Sequence, residues 1–174
     1  MSGPEHNHDQ ATHGFLGEEF LTWLWFRWET DGGEFDLSAG RRIGIALDDF
    51  LAFAAPSDDE TEQTLRRGLP TRTAEARTAL RQGRRLKKAK IIVADGSRQW
   101  VATLDASTMT LTGVRLPEDA EDVESPADRT ADRAANWLAL WETLMAVYGV
   151  FLRERLRDGY RASAGEQQAS WMAG

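Results

Sequence analysis

The residue types that most often carry out catalysis are scarce in this chain of 174 residues. There is no cysteine, and the three histidines, His6, His8 and His13, all precede the first apolar segment. Neither a Ser-His-Asp nor a Cys-His arrangement is therefore expected in the folded core. A metal held by these histidines would lack the fixed geometry and the supporting hydrogen bonds of a built site. We predict no bound metal and no cofactor.

The lysines do not form a phosphate-transfer motif. Lys87, Lys88 and Lys90 are the only lysines, and none follows a glycine, so the chain has no P-loop. None has an acidic residue two positions before it, as in the acid-x-Lys element of many metal-dependent nucleases. The carboxylates that remain as candidate Mg²⁺ ligands are Asp36, Asp48, Asp49 and Asp105. A metal-dependent nuclease is the weakest hypothesis, and we predict that the protein is not an enzyme.

Charge is strongly segregated along the chain. The formal net charge is −7, which argues against indiscriminate attraction to nucleic acid or to an anionic membrane. Within the 33 residues from Arg66 to Arg98, however, eleven basic residues meet only two acidic ones, so this stretch carries +9 and the rest of the chain −16. The predicted DNA-binding residues within it are Arg66, Arg67, Arg77, Arg81, Arg84, Arg85, Lys87, Lys88 and Lys90.

The spacing of these residues predicts a basic ridge. Arg77, Arg81 and Arg84 follow one side of a short helix, and Lys88 and Lys90 share one face of the strand that comes next. Such a ridge suits contacts with phosphates, which do not depend on base sequence. The alternative is a solvated basic face, or a face that pairs with the chain's own acidic connector, residues 118–128.

An aromatic-rich segment precedes the basic stretch. Seven large apolar residues lie within the nine positions from Phe20 to Trp28, which at helical spacing places them almost all around the cylinder. Such a helix is either the centre of the core or is partly buried against another chain. For the second case, the aromatic helix and a long helix near the C-terminus give a predicted partner interface of Phe20, Trp23, Trp25, Trp28, Trp137 and Trp141.

The remaining patterns predict an α+β fold. Apolar and polar residues alternate or nearly alternate in residues 34–37, 42–48 and 61–67, and residues 50–54 continue as an apolar run, as in antiparallel strands. Thr73 is a candidate N-cap of a short helix, Asp95-Gly96 marks a hairpin turn, and Ser125 followed by proline begins a helix of about 30 residues. We predict antiparallel β-meanders with an aromatic N-terminal helix, a short basic helix and a long C-terminal helix.

The chain is predicted to form one domain with loose ends. Residues 1–13 are expected to be a disordered tail, residues 14–158 a single α+β domain and residues 159–174 a flexible tail. No stretch approaches the roughly 18 to 20 consecutive apolar residues of a membrane helix, and the N-terminus lacks a signal-peptide pattern. We expect no membrane association and a cytoplasmic location.

Four stretches form a recognisable series: GFLGEEFLTWLWFRWE from residue 14, IGIALDDFLAF from residue 43, TAEARTALRQGRRLKKAKIIV from residue 73 and RQWVATLDASTMTLTGVRLP from residue 98. Together they resemble the C-terminal half of the RdgC family of recombination-associated bacterial proteins. The resemblance covers residues 14–157 and includes the order of a short helix, a glycine with basic residues, strands and a final helix.

The resemblance implies a non-enzymatic, nucleoid-associated protein that binds double-stranded DNA without sequence preference and modulates recombination. RdgC proteins form ring-shaped homodimers with a positively charged central hole and restrain recombinase filaments. They carry an additional N-terminal half, so a homodimer, or a partner that supplies this half, is expected. The alternative is a protein-interaction or oligomerisation module without direct DNA binding. By position, the family's basic pair and basic run correspond to Arg66, Arg67, Arg84, Arg85, Lys87 and Lys88.

Overall fold

The computed structural model describes the backbone of residues 5–54, 62–117, 125–160 and 163–174, and the side chains of these residues from Leu16 onward. The helices in this part of the chain are α1 (Glu5–Asp31), α2 (Ala74–Arg81), α3 (Pro126–Arg155) and α4 (Ala164–Ala173), with short 3-10 helices at Ser38–Gly40 and Pro70–Arg72. The strands are β1 (Glu34–Asp36), β2 (Arg42–Phe53), β3 (Gln63–Arg66), β4 (Leu86–Asp95), β5 (Arg98–Asp105) and β6 (Thr110–Arg115).

The six strands form one antiparallel sheet. Its order is β1-β2-β4-β5-β6, and β3 pairs with the end of β2 on the edge that β1 also uses. The 12 residues of β2 are long enough to hold β1 near one end and β3 near the other. The predicted α+β fold with antiparallel strands is confirmed, and the two predicted meanders are parts of a single sheet.

Local sequence signals set several element boundaries. The side-chain oxygen of Thr73 accepts a hydrogen bond of 3.2 Å from the backbone N–H of Ala76, so Thr73 caps α2 as its residue type predicts. Asp95 pairs with Arg98 across the Asp-Gly turn between β4 and β5. Ser125 caps α3 by accepting from the backbone N–H of Asp128 at 3.1 Å.

One face of the sheet, here called the inner face, is the floor of the hydrophobic core. Ile45, Val93 and Trp100 lie side by side on β2, β4 and β5, and each is at most 1% exposed. The indole N–H of Trp100 donates to the main-chain oxygen of Asn136 in α3, 3.1 Å away. Burial of these side chains is the main favourable contribution to folding, at about 25 cal/mol for each Å² of apolar surface removed from water.

Helix α1 is the central core helix. Phe20, Trp23 and Trp25 are at most 1% exposed, and they are buried by the chain's own sheet and helices. The core alternative is therefore the one observed, and these three residues cannot form the predicted partner interface. Near the start of the aromatic segment, α1 passes close to the turn after β5. A Cβ at Gly17 would lie 1.8 Å from the main-chain oxygen of Ala106.

Both predicted tails contain helix. The backbone is already helical at Glu5, within the segment predicted to be disordered. At the other end, α4 packs on the core through Trp171, whose ring centroid lies 5.3 Å from that of Trp25. Within the segment predicted to be a flexible C-terminal tail, Trp171, with Met172 beside it, packs an otherwise polar helix against the core.

Only one side of helix α3 packs against the hydrophobic core. Leu140, Leu144, Val147 and Phe151 are fully buried or nearly so, which fixes the side of the helix that faces the core. By length and hydropathy alone, α3 is the one described helix that could cross a membrane. This is weak evidence, since core helices of soluble proteins also meet this criterion. An acidic connector is predicted over residues 118–128. Its positions 118–124 lie outside the described residues.

Candidate nucleic-acid interface

The nine predicted DNA-binding residues do not form one ridge. Four of them come together on the outer face of the sheet, opposite the core, where they line a shallow groove of about 590 Å³. The other five lie around α2, near the start of β4 and beside the helices. The residues that line the groove are Asp49, Phe50, Arg66, Arg67, Lys88, Lys90, Thr103 and Thr112.

Strand alternation explains why the lysines reach the groove. Ala89 and Ile91 are buried on the inner face, so Lys88 and Lys90 between and beside them project from the outer face. Across β4 and β5, Lys88 is in register with Asp105, and Lys90 is in register with Thr103. The lysine pair predicted from the sequence is confirmed as a same-face pair.

Strand β3 brings the arginines to the same place. Arg66 lies opposite Phe50 in the register of β2 and β3, and its guanidinium carbon sits 4.9 Å from the centroid of the Phe50 ring. Arg67 and Gly68 both have positive φ angles, 73° and 67°, which turn the chain sharply after β3. The backbone N–H of Arg67 donates to the main-chain oxygen of Asp49 at 2.9 Å and holds this turn against β2.

Carboxylates offset much of the lysine charge. The Nζ of Lys90 lies 2.9 Å from Asp48 and 3.0 Å from Asp49, and hydrogen bonds to these two groups raise the pKa of Lys90. Lys88 lies 3.2 Å from Asp105. Burial raises the pKa of Asp105, but its hydrogen bonds with Ser107 and Lys88 outweigh this effect and leave the pKa below its usual value. A bound anion must therefore compete with these acids.

The arginines of the groove carry the less compensated charge. Within the described part of the chain, no ion pair within 4 Å joins Arg66, Arg67 or Arg115 to a carboxylate. Arg115 was not among the predicted residues. It is paired with Val101 across β5 and β6, and Val101 belongs to the outer face because Trp100 and Ala102 are buried on the inner one. Arg115 therefore lies on the same face as the groove.

Arg77 has a structural role. Its guanidinium lies 4.5 Å from the centroid of the Trp171 ring and 5.5 Å from that of Trp25, and it pairs with Glu29. It also donates to the main-chain oxygen of Trp171 at 3.2 Å. These contacts join α1, α2 and α4, so the charge of Arg77 is used inside the helical layer.

The other four predicted cations also lie away from the groove. Lys87 is 3.6 Å from Glu62, and Arg85 is 3.0 Å from Glu18 of α1. Arg84 and Arg85 line a second cavity of about 380 Å³ between the helices. Arg81 is exposed on α2 and contacts the hydroxyl of Thr78 at 3.2 Å. The continuous ridge is not formed because α2 and β4 direct their cations to different sides.

The aromatic residues predicted as a partner interface are also separated in the structure: some are buried in the core and others are partly exposed. Phe20, Trp23 and Trp25 are core residues, as described above. Trp28 is half-buried beside a polar cavity that Arg72 and Arg77 also line. On α3, Trp137 is 44% exposed, and its ring stacks on that of Trp141 with centroids 6.4 Å apart and an interplanar angle of 15°.

No cluster of three metal-ligating side chains occurs among the residues that the structure describes. Asp48 and Asp49, two of the candidate Mg²⁺ ligands, are instead bonded to Lys90. Sequence reasoning missed Phe50 and Arg115 in the groove region. Their only sequence signal is position within a strand, and it becomes useful only when the register of the neighbouring strand is known.

Comparison with known proteins adds no relative: no protein family, curated protein or solved structure matches the chain. The resemblance to the RdgC family therefore stays a prediction.

Proposed function

We propose that the protein binds double-stranded DNA through phosphate contacts on the outer face of its sheet, without sequence preference and without catalysis. The observation that carries this proposal is the convergence of Arg66, Arg67, Lys88 and Lys90 in one groove, from positions up to 24 residues apart in the sequence. The hydroxyls of Thr103 and Thr112 line the same groove and supply neutral donors for phosphate oxygens.

The dimensions of the face suit a polyanion. Arg66 on β3 and Arg115 on β6 are separated by β2, β4 and β5. At about 4.8 Å between neighbouring strands, the cationic face is on the order of 19 Å wide. Duplex DNA carries one charge for about every 1.7 Å of its axis, so several phosphates fall within this width.

The carboxylates that pair with Lys88 and Lys90 limit the expected affinity for DNA. If Arg66, Arg67 and Arg115 alone neutralise phosphates, log K is expected to fall with log salt concentration at a slope of about −3. If Lys88 and Lys90 leave their acids and join them, the slope becomes about −4.5. Binding is expected to be weak and strongly dependent on salt. Arg66 covers the Phe50 ring at 4.9 Å, which reduces the surface available for base stacking and favours backbone contacts.

A salt-titrated mobility shift with a 30-base-pair duplex tests the proposal. The double variant Arg66→Glu/Arg67→Glu is expected to lose at least tenfold in affinity at low salt, because it reverses two cations in the groove. The matched control is Arg72→Glu/Arg81→Glu, which makes the same charge change at exposed positions of the same sequence segment, outside the groove.

The control variant is expected to bind within about threefold of the parent protein. Equal loss of affinity in the two double variants would show only a response to net charge and would contradict the groove. Affinity that does not change with salt would contradict phosphate binding altogether. Incubation of plasmid DNA with the protein and Mg²⁺ is expected to give no cleavage.

A role in recombination, with a location on the nucleoid, is the finer proposal that the RdgC resemblance supports. If the protein closes a ring around DNA, its retention depends on whether the DNA is circular or linear, because a ring can slide off a free end. We expect retention on circular plasmid to exceed retention on the same plasmid after linearisation if a ring forms. Equal retention would leave the phosphate-binding groove in place and remove the ring.

A further inference from the structure

The helices that cover the inner face of the sheet leave a cavity between them. It is lined by residues of α1, α2, α3 and α4, has a volume of about 380 Å³ and reaches solvent at Arg85, whose side chain is 56% exposed. None of its lining residues belongs to the groove on the outer face. Protein interiors hold few voids larger than a water molecule, and a cavity above about 300 Å³ has the usual size of a small-molecule site.

Four residues form an apolar floor in this cavity. Leu80 of α2 and Phe151 of α3 are 6% and 1% exposed, and Met172 of α4 is partly buried against the same core. Thr22 of α1 is also buried, and its hydroxyl donates to the main-chain oxygen of Glu18 at 2.9 Å. The floor therefore favours an apolar or aromatic group over a strongly hydrated one.

Arg155 presents unused hydrogen-bond donors at the wall of the cavity. Its Nε lies 3.0 Å from one carboxylate oxygen of Glu19, and one terminal nitrogen lies 3.4 Å from the other. Its guanidinium carbon is 5.3 Å from the centroid of the Tyr160 ring. The second terminal nitrogen makes no hydrogen bond within the described part of the chain, and it is called the free edge of Arg155 below.

The amide of Gln168 is a second donor at the wall. The hydroxyl of Tyr160 donates to the side-chain oxygen of Gln168 at 3.0 Å, so the NH₂ group is the end left for a ligand. Gly165, three residues before Gln168, permits this approach. A Cβ at Gly165 would lie 3.1 Å from the main-chain oxygen of Tyr160 and 3.3 Å from a carbon of its ring.

We propose that the cavity binds a small amphipathic acid, with its apolar body on the floor and its carboxylate between the free edge of Arg155 and the amide of Gln168. A guanidinium edge and an amide donor together match the two oxygens of one carboxylate. Glu18 and Glu19 also line the cavity, and repulsion from them disfavours a dianion such as a phosphate monoester. Each is held by an arginine, Glu18 by Arg85 at 3.0 Å, so a single negative charge is tolerated.

Isothermal titration calorimetry of the full chain with biphenyl-4-carboxylate tests the proposal. One ligand is expected to bind per chain. Biphenyl-4-carboxamide, which has the same shape without the charge, is expected to bind more weakly by about tenfold or more. The aliphatic acid decanoate is expected to compete with biphenyl-4-carboxylate. Duplex DNA is expected not to compete, because its groove lies on the other face of the sheet, so a failure of DNA binding does not affect this site.

Two substitutions test the donors of the wall. Gln168→Leu removes the amide at a partly exposed helical position and is expected to weaken the carboxylate by about tenfold, while the carboxamide changes by less than about threefold. Arg155→Lys keeps a positive charge beside Glu19 but removes the free guanidinium edge. It is expected to weaken the carboxylate severalfold.

A matched pair of substitutions on α4 tests the floor. Met172→Trp places a larger side chain in the cavity and is expected to weaken both ligands by about tenfold or more. Ala169→Trp adds the same side chain at an exposed position outside the cavity and is expected to leave both affinities unchanged. Circular dichroism and thermal unfolding show whether each variant is folded.

Three results would overturn the proposal. The first is that neither acid binds at concentrations up to about 1 mM, the affinity that a ligand of about 15 non-hydrogen atoms reaches at ordinary efficiency. The second is equal binding of the carboxylate and the carboxamide, which would leave only an unspecific apolar cleft. The third is that Ala169→Trp weakens binding as much as Met172→Trp does.

Discussion

The two faces of the sheet are built from alternate residues of the same strands, and they have opposite characters. Ile91 is fully buried beneath the helical layer, whereas its neighbour Ile92 is only half-buried on the outer face. Across the inner face run aliphatic side chains and Trp100, and across the outer face run lysines, threonines and carboxylates. One face holds the fold together, and the other is available for a charged ligand.

This difference explains why charge along the sequence is a poor guide to charge in space. The segment with a charge of +9 contributes cations both to the outer face of the sheet and to the helical layer on its other side. Its partners come from elements far away in the sequence, such as Glu29 for Arg77 and Asp48 for Lys90. Among the four cations of the groove, the two that no carboxylate within 4 Å compensates in the described part of the chain are Arg66 and Arg67.

Replacement of adjacent isoleucines is the strongest way to separate the two faces. Ile91→Ala is expected to lower the free energy of unfolding by about 3 kcal/mol, because it leaves a cavity in the core. Ile92→Ala removes the same atoms from a half-exposed site and is expected to cost less than about 1 kcal/mol. Denaturant unfolding followed by circular dichroism measures both. Equal costs would show that the outer face is also covered.

The substitution Trp171→Ala tests how much α4 contributes to the stability of the helical layer that covers the inner face of the sheet. Trp171 contacts Trp25, Phe26 and Arg77, and its indole N–H donates to Glu29 at 3.0 Å. Because Trp171 is only partly buried, the expected cost is about 2 kcal/mol, below that of a core tryptophan. Ser170→Ala, exposed on the same helix, is the control. A stability change below about 0.5 kcal/mol for Trp171→Ala would mean that α4 is not part of the folded layer.

Asp95 gives a pH-dependent test of the link between the sheet and α3. Hydrogen bonds from Arg41, which lies 2.8 Å away and also donates to Thr143, lower the pKa of Asp95, and Arg98 contributes further. Asp95→Asn is expected to cost about 1 kcal/mol at pH 7.

The sign of the pH effect follows from the lowered pKa of Asp95. The ionised form is stabilised in the folded state, so the contribution is present above about pH 4 and is lost as the pH falls through the folded-state pKa. The difference in unfolding free energy between Asp95→Asn and the parent protein should therefore shrink between pH 5 and pH 2. A constant difference would assign the effect to packing instead of charge.

The smallest expected effect belongs to the outer face. Asp49 lies 3.0 Å from Lys90, and Asp49→Asn is expected to raise duplex affinity about twofold to threefold at low salt, by releasing part of the lysine charge. Asp158→Asn, an exposed site after the end of α3, makes the same change in net charge and should have little effect. If both variants raise the affinity equally, the location of the groove is not supported.

Much of the fold follows from short-range rules in the sequence. The Asp95-Gly96 turn, the Thr73 cap and the Ser125 cap each depend on residues within a few positions of one another, and each is found where it is predicted. The alternation that places Lys88 and Lys90 on one face is also local.

The site is only partly predictable because its geometry depends on strand order. That Arg66 comes to lie near Lys90 requires β3 and β4 to pair with opposite edges of β2, and no local pattern specifies this. The same holds for the acids that compensate the lysines. The anchoring of α4 was missed because Trp171 is isolated among polar residues, and its partner surface exists only after α1 and α2 have packed.

The close approach of α1 to the turn after β5 gives a marker for recognising relatives of this chain. Large apolar residues in α1 can exchange with one another if the total volume is kept, so their identities are a weak signature. Position 17 has no such latitude, since even a methyl group there would overlap the main chain at Ala106. A chain with the same arrangement must carry glycine at this point, immediately before the pair of acidic residues that precedes the aromatic series.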